Sequence, residues 1–280
     1  MPSRISVRPQ RLSINGAELY CEVRGSGPAV LFSAPATGDA GTLDKAANEL
    51  ADDFTVITYD RRGNSRSPKP ADWTSTSVSE QAEDAAGIIQ VLGVRPAALF
   101  GLSAGGTISL ELEMRHPGLT CGAVLYEPIV GFLLEKVDRQ RRLALRQQTA
   151  SDEMRANRSQ STMERGIRAA VGDRAWEAIA PDVRERILGN AGVFYFIEMD
   201  AWSRYRPDEM ALRKIHHPLY ILRSDASEPA YAAMCGWLAE RVPTAISIIA
   251  PGLHTHAVNY ENPRRLAAVL RPYLKKLTQK

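Results

Sequence analysis

The 280-residue chain predicts an α/β protein: a mainly parallel sheet with helices on both faces and a helical insertion late in the order. Three observations carry that expectation. Short apolar runs of strand length alternate with longer stretches of helical periodicity, the pattern of a parallel sheet whose crossovers are helices. The segment Leu99-Phe100-Gly101-Leu102-Ser103-Ala104-Gly105-Gly106 sets a Gly-x-Ser-x-Gly turn between one such run and the helix after it. From Phe132 to roughly Leu212 the strand patterns cease and only helical ones remain.

In chain order, Leu12 to Val23 alternates in polarity around Asn15-Gly16, a two-residue hairpin signal, so the chain opens on antiparallel strands. After the turn Gly25-Ser26-Gly27-Pro28, Ala29 to Phe32 reads as a buried strand and Ser33 to Asp39 as a loop. Leu43 to Leu50 reads as a helix, Phe54 to Tyr59 as a strand, Asp60 to Ser67 as a polar loop and Ser79 to Leu92 as an amphipathic helix. Pro96 to Phe100 supplies the strand before Ser103, and Thr107 to Arg115 the helix after it, stopped by Pro117. A serine swung out on a tight strand-to-helix turn has a crowded backbone, which glycines at 101 and 105 relieve; this is the form of a nucleophile elbow.

Cys121 to Tyr126 is a further buried strand, ending in Glu127-Pro128. The helical insertion carries Trp176, Phe194, Tyr195, Phe196, Trp202 and Tyr205, which serve a small core of their own as readily as a substrate surface. Strand, helix and strand resume at Pro218 to Leu222, Pro229 to Arg241 and Ala245 to Ala250. The last helix starts at Asn262-Pro263, a cap and first position, and Pro272 is expected to kink it. The expected division is a core of 1–130 and 214–280 and an insertion of 131–213.

Composition excludes several classes. With 44% hydrophobic residues the chain can bury a sizeable core, and 35 basic against 32 acidic residues leave a formal charge of +3. No basic cluster is interleaved with aromatics, so no nucleic-acid partner is expected. The Arg-rich run from Arg139 to Arg168 is interspersed with Asp152, Glu153 and Glu164 and reads as a solvated helix face. No uncharged stretch reaches the length of a membrane span and the first 20 residues hold no unbroken apolar segment, so a cytoplasmic protein without membrane contact is expected. Cys21, Cys121 and Cys235 are far apart and lack zinc-like spacing, which reads as buried reduced thiols with no metal.

These residues resemble the α/β-hydrolase fold family from the opening hairpin to the last helix. The loop ending in Thr37-Gly38-Asp39, the segment Tyr59 to Ser67, the Gly101-to-Gly105 elbow and the segment His256 to Pro263 carry the resemblance. A glutamate at 127 combined with a changed acid position later in the chain is also similar to the fungal zearalenone lactonases.

The resemblance implies an α/β-hydrolase fold with a helical cap and a serine hydrolase that needs no cofactor. Ser103 would be the nucleophile, and Ala104 would give its backbone N–H to the oxyanion at the start of a helix. The family's second donor falls in Ala34-Pro35-Ala36; Pro35 has no N–H, which leaves Ala36, or Thr37. The base is His256, seven residues before Pro263, or else His254. The family's aspartate position falls on Ser227, whose hydroxyl cannot offset an imidazolium charge, so the acid is Glu127 or Asp225. Asp60 and Arg62 are read as structural, and His116, His216 and His217 as capping or solvent-facing. The expected substrate is a carboxylic ester or lactone of an apolar small molecule. A carbon–carbon bond hydrolase on the same triad, or a ligand-binding protein without catalysis, are the alternatives. An epoxide or haloalkane hydrolase would need a carboxylate where Ser103 stands.

Overall fold

The structure is a computed structural model that describes residues 6–133 and 152–279. The strands are β1 (Val7–Ile14), β2 (Ala17–Arg24), β3 (Ala29–Ser33), β4 (Thr55–Tyr59), β5 (Ala97–Leu102), β6 (Thr120–Tyr126), β7 (Leu219–Ser224) and β8 (Ala245–Ala250). They form one eight-stranded sheet in the order β1-β2-β4-β3-β5-β6-β7-β8. The pairs β1–β2 and β2–β4 are antiparallel and all others parallel, as the sequence predicts.

Asn15 and Gly16 take φ of 48° and 74°, the left-handed geometry whose twist suits a two-residue hairpin. β1 begins five residues before the expected Leu12, because its outer half is exposed at the sheet edge and shows no alternation to read. The central strands are buried on both faces. Neighbours on β5 diverge: Leu99 joins the core beneath α2 (Val78–Val91) and α3 (Ala104–Arg115), whereas Phe100 joins the one beneath α1 (Asp44–Leu50) and the C-terminal helix. Such strands appear in sequence as continuous apolar runs.

Asn262 caps the C-terminal helix by accepting from the Arg265 backbone N–H, and the helix runs unbroken from Pro263 to Thr278 through Pro272. Pro272 releases the carbonyl of Ala268, which lies on the solvent face where water can satisfy it. Among the described residues no helix is long and apolar enough to cross a membrane. None of the three cysteines is in a disulfide, and burial pushes the Cys21 and Cys235 thiols up to about 12, while Cys121 is only half-buried.

Between β6 and β7 the described elements are helical, among them Asp152–Val171, Asp173–Glu177, Pro181–Gly189, a run over 191–204 whose middle turn, Phe194–Glu198, is π-helical, and Glu209–Leu212. Trp176 centres a separate small core with Met163, Ile167, Ile179, Ile187 and Ala191. Phe194 and Tyr195 pack against that core, Phe196 is exposed, and the Tyr205 hydroxyl donates to Glu111 at 2.7 Å. Of the Arg-rich run, residues 139–151 lie outside the described residues; Arg168 pairs with Glu164, Asp173 and Glu177 at 2.7–2.9 Å.

Candidate active site

Ser103 stands between β5 and α3 at φ 57° and ψ −119°, a costly backbone conformation for a residue with a side chain. Its N–H donates to the Tyr126 carbonyl (2.9 Å), continuing the β5–β6 ladder into the turn. The flanking glycines are required by close approach. A Cβ on Gly101 would lie 2.3 Å from the Gly105 carbonyl oxygen, and one on Gly105 would lie 2.0 Å from that of Ser33.

The imidazole of His256 reaches Ser103 from the loop after β8. Its Nε2 lies 2.9 Å from Ser103 Oγ and its Nδ1 lies 2.7 Å from Glu127 Oε2. With Nδ1–H donating to the carboxylate, Nε2 is left to accept from the serine hydroxyl. Tyr126 steadies the loop by donating its hydroxyl to the Thr255 carbonyl at 2.8 Å. Tyr231, from the helix Pro229–Ala239, lies flat on the His256 ring, with centroids 3.8 Å apart and planes 5° from parallel.

Glu127 follows β6 and is fully buried. Its N–H donates to the Leu222 carbonyl of β7 (2.8 Å), and its Oε1 accepts from the Ser224 N–H (2.9 Å). Burial alone would raise its carboxyl, but the hydrogen bond from His256, the Ser227 hydroxyl buried beside it, the histidine charge and the Ser224 N–H together hold it below the ordinary carboxylate range. In strand order Ser103 follows β5, Glu127 the adjacent β6 and His256 the outermost β8.

The other pair of candidates forms a separate contact. Asp225 Oδ1 is 2.7 Å from His254 Nδ1, and Asp225 Oδ2 accepts from the Gly252 N–H at 3.3 Å. Both side chains are substantially exposed, at 34% and 63%, and the hydrogen bond from His254 lowers the Asp225 carboxyl. Asp225 is thus engaged by His254, whereas the histidine in contact with Ser103 is held by Glu127.

Ala104, the first residue of α3, is buried directly after Ser103. Ala36 lies in the loop after β3, and the carbonyls of that loop converge on Arg61: those of Ala34, Pro35, Ala36 and Gly38 accept from its guanidinium at 3.3, 3.0, 2.6 and 3.4 Å. Glu198, from the π-helical turn, pairs with the same guanidinium at 3.0 and 3.2 Å. Trp202 lies over it, its ring centroid 5.3 Å from Cζ. Asp60 accepts from the Ala40 and Arg66 N–H groups, and Arg62 is bidentate to Asp84 at 2.9 and 2.6 Å, so both brace loops. His116 and His217 lie against Glu83 (2.9 Å) and Glu113 (2.6 Å). Among the described residues no cluster of three or more His, Cys, Asp or Glu side chains is arranged to hold a metal ion.

Sequence reasoning missed Arg61, Glu198 and Tyr231. Arg61 stands in the very segment read for Asp60 and Arg62, but its partner Glu198 is 137 residues away and follows no motif. Tyr231 carries no signal beyond its place near the start of a helix.

A model of the Alpha/beta hydrolase family matches residues 30–269. An uncharacterized hydrolase, YraK, of Bacillus subtilis (strain 168) is 31% identical over 254 residues, covering 89% of this chain and 90% of that one. A zearalenone hydrolase of Cladophialophora bantiana is 27% identical over 192 residues, 68% of each chain. Among solved structures, the enol-lactonase of Burkholderia xenovorans LB400 superposes with a TM-score of 0.77 at 18% identity, over 95% of this chain and 100% of that one. A parallel sheet with an antiparallel opening, a strained serine on a strand-to-helix turn and a match spanning most of the sequence lead to one conclusion: the chain belongs to the alpha/beta hydrolase family of enzymes.

Proposed function

We propose that this enzyme is a serine hydrolase that opens a carboxylic ester or lactone of an apolar small molecule through an acyl-enzyme. The observation that carries the proposal is the continuous contact from Glu127 through His256 to Ser103, at 2.7 and 2.9 Å. His256 Nε2 takes the hydroxyl proton as Ser103 Oγ attacks the carbonyl carbon, and buried, ionised Glu127 stabilises the imidazolium so formed. The N–H groups of Ala104 and Ala36 receive the negative charge that develops on the carbonyl oxygen. His256 returns its proton to the departing alkoxide, which in a lactone remains tethered as a hydroxyl. It then deprotonates the water that releases the acid and regenerates Ser103.

Likeness to an enol-lactonase and to a zearalenone hydrolase favours including lactones beside open esters. In this reading residues 131–213 act as a cap over a core of 1–130 and 214–280, and the partner is a small molecule rather than a nucleic acid.

The test is a fluorophosphonate probe followed by peptide mapping. A single adduct on Ser103, absent in Ser103→Ala and in His256→Ala, together with turnover of members of an ester and lactone panel, is expected. Folded wild-type protein that takes no adduct and hydrolyses neither class would refute the proposal.

A further inference from the structure

In the loop Ala34-Pro35-Ala36-Thr37-Gly38 only Thr37 has a side-chain hydrogen-bond donor, and four of the loop's carbonyls accept from one guanidinium. Nε and Nη2 of Arg61 engage Glu198, Nη2 also serves Ala36 and Nη1 is shared among Ala34, Pro35 and Gly38, so every nitrogen of the fork is engaged. The ion pair is sealed from water, with side-chain exposures of 2% for Arg61 and 0% for Glu198. A buried guanidinium is strongly unfavourable without a counter-charge, so the arrangement depends on the carboxylate brought from the π-helical turn.

We propose that Arg61, anchored by Glu198, is a positioning residue for oxyanion stabilisation: it fixes and polarises the peptide units whose N–H groups meet the reacting carbonyl. The inference rests on the serine-hydrolase reading above. In a trans peptide the C=O and N–H point in opposite directions. The Pro35 carbonyl shares its peptide unit with the Ala36 N–H, and the Ala36 carbonyl shares its unit with the Thr37 N–H. Holding both carbonyls on Arg61 therefore aims both N–H groups away from it. A carbonyl that accepts from a cation also makes the N–H of its unit a stronger donor. On its other side the loop stem rests on the elbow: a Cβ on Gly105 would lie 2.0 Å from the Ser33 carbonyl oxygen and 2.7 Å from that of Ala34. The loop is pinned between the first turn of α3 and the guanidinium, and whichever of Ala36 and Thr37 gives the second donor, Arg61 sets its direction.

The test removes both charges together in Arg61→Met/Glu198→Gln. Glutamine at 198 keeps an oxygen for the Asn64 and Gln81 amides, which donate to Glu198 Oε1 at 3.1 and 3.2 Å. Three quantities are measured with a p-nitrophenyl ester: kcat, KM, and the affinity for a trifluoromethyl ketone that forms a tetrahedral anionic adduct with Ser103. Loss of one oxyanion donor costs about 10²–10³ in kcat, and a misaimed donor is a partial loss, so a fall of about 10–10² is expected. The ketone should weaken in parallel, while KM stays within about threefold. General structural damage would move KM and the melting temperature as well.

A folded double variant with wild-type kcat and wild-type ketone affinity would overturn the proposal. If the double variant does not fold, Arg61→Lys decides. It keeps the charge opposite Glu198 but lacks the fork, so kcat should fall about tenfold with KM held, and wild-type kcat in Arg61→Lys overturns the role. Wild-type protein that forms no ketone adduct at all would overturn the serine-hydrolase reading itself.

Discussion

Replacing Glu127 by Gln probes the site most sharply, because both oxygens of that carboxylate accept from fixed donors. Oε1 takes the Ser224 N–H at 2.9 Å and Oε2 the His256 Nδ1–H at 2.7 Å. Glutamine has one oxygen and one NH₂ group. If its oxygen stays on His256, the NH₂ meets the Ser224 N–H, two donors face each other in a buried place, and the protein loses about 1–3 kcal/mol of stability. If instead the NH₂ faces His256, Nδ1 must become the acceptor. Nε2 then carries the proton and cannot take another from Ser103. In either orientation the imidazolium loses its negative partner. In serine proteases that use an Asp-His-Ser triad the equivalent amide substitution costs about 10⁴ in kcat, equivalent to about 5 kcal/mol of transition-state stabilisation. The assay is kcat on a p-nitrophenyl ester, with circular dichroism to establish folding, and with Asp225→Asn in parallel. Glu127→Gln should fall by three to four orders of magnitude, roughly as in that case, and Asp225→Asn should stay close to wild type. A folded Glu127→Gln enzyme within tenfold of wild type would refute the reasoning, and a collapse in Asp225→Asn instead would transfer the role to the His254 pair.

Three further outcomes are expected. Tyr231→Ala removes the ring stacked at 3.8 Å on His256 and should lower kcat by about 2–10-fold, the kinetic equivalent of a 0.5–1.5 kcal/mol aromatic contact, with Tyr231→Phe retaining wild-type kcat. Gly105→Ala should lower the melting temperature by about 6 °C or more, since its methyl would sit 2.0 Å from a backbone carbonyl oxygen and overpacking of that kind costs about 3 kcal/mol. The third concerns acid stability. Glu127 titrates below the ordinary carboxylate range when folded, so the stability it contributes is complete above its unfolded value of about 4.3 and fades as pH falls through the lower folded value. The melting-temperature gap between wild type and Glu127→Gln should therefore be widest above about pH 5 and narrow below about pH 4; a gap that widens toward acid contradicts the assignment.

What was legible in the sequence follows from what is local. The elbow could be read because steric crowding at Ser103 forces glycine at 101 and 105, a demand expressed within five residues. The central strands could be read because burial on both faces leaves uninterrupted apolar runs, whereas β1, exposed along its outer half, could be traced only where the hairpin imposes alternation. The family resemblance could favour His256 over His254, through the spacing from histidine to the proline that opens the last helix. Glu127 could be named only through the family resemblance, which sets its strand beside the one that precedes Ser227, and its contact with Ser224 depends on register that no single strand encodes. Arg61 was the reverse case. Its position was in view, but its meaning lay in four carbonyls of another loop and a carboxylate 137 residues on.

The π-helical turn at Phe194–Glu198 alters the phase of the helical run that contains it. A wide turn carries one residue more than a regular one, and each residue of an α-helix advances the bearing by about 100°. Ala191, before the turn, faces the small core around Trp176, and Glu198, the last residue of the turn, faces Arg61. In an unbroken α-helix residues seven apart share nearly the same side, so one continuous helix could not serve both bearings. The extra residue works as a vernier between two packing registers. Removing a single residue from this turn would restore the regular spacing and swing the carboxylate off its guanidinium, so a change in helix length alone would undo the Arg61–Glu198 pair.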